Sequence, residues 1–90
     1  MPTDRCLAVT IVDFTGLVWS GEASFISAPA VGGPIGLYPR HQPLLALLED
    51  GAVKVKLPDG SQVTAHLTAG FLSLDSDQVT VVADHCQLCP

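Results

Sequence analysis

Val53-Lys54-Val55-Lys56-Leu57-Pro58-Asp59-Gly60-Ser61, followed after Gln62 by Val63-Thr64-Ala65-His66-Leu67-Thr68, is the stretch that decides the fold. Val53, Val55 and Leu57 alternate with Lys54 and Lys56. Val63, Ala65 and Leu67 alternate with Thr64, His66 and Thr68. A period of two places each apolar set on one side of an extended strand. Pro58-Asp59-Gly60-Ser61 between them has strong turn chemistry, so the segment reads as a β-hairpin with one face toward a core. His66 falls on the other face and is expected to be solvated.

The same pattern recurs on both sides of this hairpin. Downstream, Leu72-Ser73-Leu74 and Val79-Thr80-Val81 flank the polar turn Asp75-Ser76-Asp77-Gln78. Upstream, Leu7 to Phe14 is β-branched and loosely alternating, and Thr15-Gly16 punctuates it before Leu17-Val18-Trp19-Ser20, which predicts a first hairpin. Ser24 to Ala28 predicts a third strand, ended by Pro29, which cannot donate to a ladder and biases Ala28 toward extended geometry. From Pro29 to Pro43, four prolines and three glycines in fifteen residues predict an irregular segment. Leu44-Leu45-Ala46-Leu47-Leu48 fits a buried strand or one helical turn, and its flanks favour the strand. Short strands at close spacing, without a convincing amphipathic helix, predict an all-β sandwich or barrel. The expected core contains Val9, Ile11, Phe25, Ile26, Leu45, Val53, Val55, Leu67, Leu72, Val79 and Val81.

Composition narrows the function. Ninety residues make one small domain, 48% of them hydrophobic and only 14% charged, a thin charged coat that implies contact with another protein. A net charge of -5 with four basic residues, Arg5, Arg40, Lys54 and Lys56, excludes nucleic-acid binding, which needs many phosphate-neutralising contacts. No apolar stretch approaches the roughly 20 residues that a membrane-spanning helix requires. The N-terminus lacks the pattern of a secretory signal, so a cytoplasmic location is expected. Three cysteines cannot all pair within one chain, and a reducing compartment keeps them as thiols.

Each candidate for chemistry has a plainer reading that its context favours. His41, in Tyr38-Pro39-Arg40-His41-Gln42-Pro43, has no serine or cysteine motif to serve as its nucleophile, which favours a contact role. Gly32, Gly33 and Gly36 lack the lysine and hydroxyl of a phosphate loop and read as turns. Asp13, Glu22, Glu49, Asp50 and Asp84 are scattered and read as solubilising charges. Cys86-Gln87-Leu88-Cys89 has the spacing of zinc and redox motifs, but a zinc site would need His85 and the distant Cys6 as well. Residues 85–90 are expected to be a loose tail beyond a domain covering residues 1–84, and no metal or other cofactor is expected.

Five ordered segments carry a resemblance. They are Trp19-Ser20-Gly21-Glu22-Ala23, Ser27-Ala28-Pro29, Ile35-Gly36-Leu37-Tyr38-Pro39-Arg40-His41-Gln42-Pro43-Leu44-Leu45, Gly70-Phe71-Leu72 and Val79-Thr80-Val81-Val82-Ala83-Asp84. In order and spacing, from about Leu7 to Asp84, the chain resembles the epsilon subunit of F-type ATP synthase. The resemblance implies a two-sheet β-sandwich of about ten strands with no catalytic role. It would bind the gamma subunit and the polar loops of the c-ring, supporting the coupling of ion flow to ATP synthesis. It implies a peripheral position on the cytoplasmic face of the bacterial inner membrane, with membrane association only through the complex.

By position, Gly33, Pro34, Arg40 and His41 would face the ring and Asp13 would lie near gamma. Family members often carry an acidic residue where Pro34 stands and glycine where Arg40 stands. They usually continue into an inhibitory helical hairpin, whereas this chain stops at Pro90, so neither inhibition of ATP hydrolysis nor ATP sensing is expected. The alternatives are a free-standing epsilon-like sandwich serving as an interaction module outside the synthase, and a small metal or redox protein centred on Cys86 and Cys89.

Overall fold

The computed structural model describes residues 6–89. Ten strands follow in order: β1 (Leu7–Asp13), β2 (Gly16–Ala23), β3 (Phe25–Ala28), β4 (Ile35–Leu37), β5 (Leu44–Leu48), β6 (Gly51–Lys56), β7 (Gln62–Leu67), β8 (Gly70–Asp75), β9 (Gln78–Ala83) and β10 (Cys86–Cys89). They form two five-stranded sheets, ordered β2-β1-β9-β8-β5 and β10-β7-β6-β3-β4. Every pairing is antiparallel except that of β1 with β9. The all-β, two-sheet expectation therefore holds.

Turn chemistry fixes the register of the hairpins. At β6–β7 the Gly60 N–H donates to the Leu57 carbonyl (2.9 Å) and the Leu57 N–H to the Ser61 carbonyl (2.8 Å), with Gly60 at a φ of 93°. This is a three-residue loop in which Pro58 presets the first turn position and glycine takes the left-handed one. At β8–β9 only Ser76 and Asp77 lie between paired Asp75 and Gln78, at φ values of 52° and 63°. Positive φ at both positions is the type I′ geometry that matches the twist of the flanking strands. In β1–β2 the pairing shifts between Ile11 and Val12, leaving Val18 as an extra residue. Val18 and Trp19 consequently both pack against the core although they are consecutive.

The core is one apolar layer between the sheets. Leu7, Val9, Ile11, Leu72, Leu74, Val79 and Val81 from the first sheet meet Ile26, Leu37, Val53, Val55, Ala65 and Leu67 from the second, and no buried side chain among the described residues is polar. Two members of the expected core are displaced. Leu45 is 72% exposed, because Leu44, Ala46 and Leu48 take the inward positions of β5. Phe25 is half-buried on the outer face of β3, because Ile26 and Ala28 point inward. The proline-rich segment is also less irregular than expected, since Ile35–Leu37 forms β4 at a sheet edge.

A further correction concerns the C-terminus. Residues 86–89 are not a loose tail: they form β10, paired with β7 from Cys86↔Leu67 to Cys89↔Thr64. The Thr68 N–H donates to the His85 carbonyl (2.9 Å) and the His85 N–H to Thr68 Oγ1 (3.0 Å), which fixes the approach to this strand. Four residues without strict alternation give too little pattern to distinguish a strand from a tail.

Glycines make room where backbones and rings converge. A Cβ on Gly70 would run into the Val82 carbonyl oxygen, so only glycine permits β8 to lie against β9 there. Gly70→Ala is expected to lower stability by at least about 2 kcal/mol, or on the order of 10 °C in Tm, read from thermal and denaturant unfolding. Unchanged stability would show that the β8–β9 pairing can open without cost at its Gly70 end.

Candidate partner-binding surfaces

Gly33, Pro34, Arg40 and His41 are all exposed, and they bracket the strand β5. The Val31 N–H donates to the Leu47 carbonyl and the Glu49 N–H to the Pro29 carbonyl, both at 2.8 Å, which lays residues 29–31 along the second half of β5. A turn closed by the Gly33 N–H and the Ala30 carbonyl (3.0 Å) then presents Gly33 and Pro34 to solvent. Arg40 and His41 lie before the other end of β5. The Arg40 N–H donates to Asp77 Oδ1 (2.6 Å), tying this loop to the β8–β9 turn. Arg40 has a φ of 70°, a left-handed conformation that glycine adopts at no steric cost, so that hydrogen bond holds a residue in a costly geometry. His41 Nδ1 lies 2.7 Å from the Gln42 carbonyl and donates to it, which turns the ring back onto its own loop.

Asp13 lies elsewhere. It ends β1, three strands away from β5 in the same sheet. Its Oδ1 accepts the Thr15 hydroxyl (2.5 Å) and N–H (2.9 Å), and its Oδ2 accepts the Cys86 N–H (3.0 Å). The Thr15 hydroxyl, then the Thr15 and Cys86 N–H groups and nearby His85, hold the carboxyl below its ordinary value against a smaller opposing effect of burial. Phe14 meets the His85 ring edge-on at 4.6 Å. Asp13 therefore closes the first hairpin and clasps β10 of the second sheet onto β1 of the first. Asp59 repeats the local half of this arrangement with Ser61.

Strand geometry separates the two thiols of the CxxC sequence. Residues three apart on a strand point to opposite faces, roughly 10 Å apart along it. Cys86, opposite inward Leu67, packs against the core, while Cys89, opposite Thr64, faces outward. Burial, then the Asp13 charge, raises the Cys86 pKa, which keeps it a thiol. No group of three or more His, Cys, Asp or Glu side chains among the described residues could hold a metal ion.

A further exposed feature is one that the sequence reading did not assign. On the outer face of the first sheet, register aligns Leu17, Val12, Val82, Phe71 and Leu47 across all five strands, and Val31 joins Leu47 at the margin. Leu17 is 65% and Leu47 68% exposed. At about 4.8 Å per strand the row runs on the order of 19 Å. The neighbouring row holds Ser20, Thr10, Thr80 and Ser73, and the first sheet contains no lysine or arginine. An apolar row of this kind is a candidate contact surface. The legible signals were Val81-Val82 and Leu44–Leu48, where apolar residues occupy both phases of a strand.

Fold and surfaces together define a small two-sheet β-sandwich with an apolar outer face. Residues 6–88 match the family described as "ATP synthase, Delta/Epsilon chain, beta-sandwich domain". An ATP synthase epsilon chain of Micrococcus luteus is 46% identical over 82 residues, covering 91% of this chain and 90% of that one. Those of Corynebacterium diphtheriae and a Neisseria meningitidis strain are 39% and 38% identical; this chain spans 65% and 56% of their lengths. A chain in the mitochondrial ATP synthase structure of Euglena gracilis, an OSCP/F1/c-ring assembly, superposes with a TM-score of 0.88 at 13% identity, covering 98% of this chain and 56% of that one. The corresponding values for the Tetrahymena thermophila central stalk/c-ring structure are 0.74, 13%, 96% and 69%. The chain belongs to the ATP synthase delta/epsilon family and is of epsilon type, a non-catalytic subunit of that complex.

One substitution tests the clasp, and two more test the placement of the cysteines. Because the folded pKa of Asp13 lies below its ordinary 3.8, its contribution to stability is complete above that pH and is lost as pH falls through the lowered value. Asp13→Asn should therefore be less stable than the parent at neutral pH, the two converging in strong acid; parallel acid-unfolding curves would contradict the clasp. Cys86→Ser should cost about 1 kcal/mol by placing a hydroxyl against the core, whereas Cys89→Ser should be neutral in denaturant titrations.

Proposed function

We propose that this chain is a central-stalk subunit of a bacterial F-type ATP synthase. The single observation that carries the reading is the apolar row across the outer face of the first sheet. Such a row suits a flat protein partner, and membership of the epsilon family supports the gamma subunit in that role. Gly33, Pro34, Arg40 and His41, exposed around β5, would contact the polar loops of the c-ring. Asp13 would serve the gamma contact by holding the β1–β2 hairpin, which carries Leu17, in place.

A part that passes torque between two partners needs stiff, complementary surfaces. A sandwich stiffens them because each outer-face residue sits on a strand whose opposite side is locked in the core. The location that follows is the cytoplasmic face of the bacterial inner membrane, reached through the complex. The competing reading, an epsilon-like sandwich working outside the synthase, differs in its partner and is tested by the same experiment.

Leu47→Asp and Phe71→Asp change exposed residues and should fold normally. Each should weaken binding to gamma about thirtyfold, the loss of one interface anchor worth about 2 kcal/mol. Titration of the purified chain against epsilon-depleted F1 measures this, and undiminished binding by both variants would refute the assignment. In the same assay the ninety residues should bind without inhibiting ATP hydrolysis, since none of the described residues forms the helical element that a mobile inhibitory switch requires.

A further inference from the structure

The outer face of the second sheet has the opposite chemistry. None of its five strands contains a carboxylate, and β6 projects Lys54 and Lys56 outward, both exposed. In a chain of net charge -5 with four basic residues, this concentrates half the basic side chains on one strand. Register sets Phe25 beside Lys56 and Ser27 beside Lys54. The Phe25 ring lies over Gly36, where a Cβ would stand 2.9 Å from it, and meets the Tyr38 ring at 4.7 Å. With Gln62 these residues line a groove of about 560 Å³.

We infer that this groove docks an extended acidic segment of a partner polypeptide, with carboxylates at alternate positions and an apolar residue beside them. Lys54 and Lys56 are two residues apart on a strand, so their stems leave the sheet about 7 Å apart. Carboxylates at i and i+2 of an extended partner have the same spacing. Phe25 and Tyr38 supply an apolar shelf next to Lys56 for the neighbouring side chain.

Other anions fit less well. A small free anion needs convergent, enclosed donors, whereas the groove's ammonium groups stand in solvent, where one ion pair is worth at most about 1 kcal/mol. Nucleic acid requires more phosphate contacts than two lysines supply. An extended segment engages both lysines and the shelf at once, and so gains from all three. The surface lies on the face away from the apolar row and does not depend on which partner covers that row.

The test compares native membranes with the isolated chain. Lys54 and Lys56 should be acetylated by an N-hydroxysuccinimide ester at least about tenfold more slowly in the membranes, as expected for groups covered at an interface. A zero-length carbodiimide should then join one or both to Asp or Glu residues of a single partner segment, located by mass spectrometry. The double variant Lys54→Gln/Lys56→Gln, with unchanged Tm, should abolish that crosslink. Equal acetylation in both samples would overturn the inference, as would crosslinks scattered over unrelated carboxylates. Protection that disappears when detergent removes lipid but leaves the complex intact would assign the face to anionic lipid instead and also overturn it.

Discussion

Everything else in this molecule depends on burying one apolar layer between two five-stranded sheets. The layer is built from Leu, Ile, Val and Ala, and among the described residues no polar side chain is buried with it. The side chains of an interior of this kind make no hydrogen-bonding demands, and the strand ladders satisfy its backbone. It leaves the outer faces, the edges and the loops as the only places where the chain can act.

A small sandwich also has to close its open sides. The edges β2 and β4 each contain a glycine covered by an aromatic ring, Gly21 by Trp19 and Gly36 by Phe25. The rings occupy the space over backbone that has no side chain of its own, restoring apolar cover where a strand lacks an outer neighbour. Between β2 and β10, which lie close together, the Asp13 carboxylate bonds the Cys86 N–H and joins the sheets directly. Beside β5, residues 29–31 take up edge hydrogen bonds that would otherwise face solvent. Loop and clasp thus finish the sandwich at opposite edges of the first sheet.

The two outer faces are chemically unlike. The first sheet presents aliphatic and hydroxyl side chains with Glu22 and Asp75 toward one end, and the second presents lysine, aromatic and amide groups. This asymmetry discriminates between partners by charge as well as by shape, since a basic or apolar surface suits the first face and an acidic one the second.

By itself the sequence determined the fold class and the family. Alternation in Val53–Leu57 and Val63–Leu67, with Pro58-Asp59-Gly60 between, specifies a hairpin without reference to the rest of the chain, because period and turn chemistry are local. The five motif segments determined kinship in the same way. The phase of Leu44–Leu48 was decided only by tertiary structure: a run apolar on both faces has no preferred side until pairing with β8, from Leu44↔Leu74 to Leu48↔Gly70, turns Leu45 and Leu47 outward. The fate of Cys86–Cys89 was decided likewise, by a free edge of β7 and a carboxylate 73 residues earlier in the chain. Beyond the doubly apolar runs Val81-Val82 and Leu44–Leu48, the row could not be assembled from sequence, because its members come from five strands and only sheet order and register bring them into line.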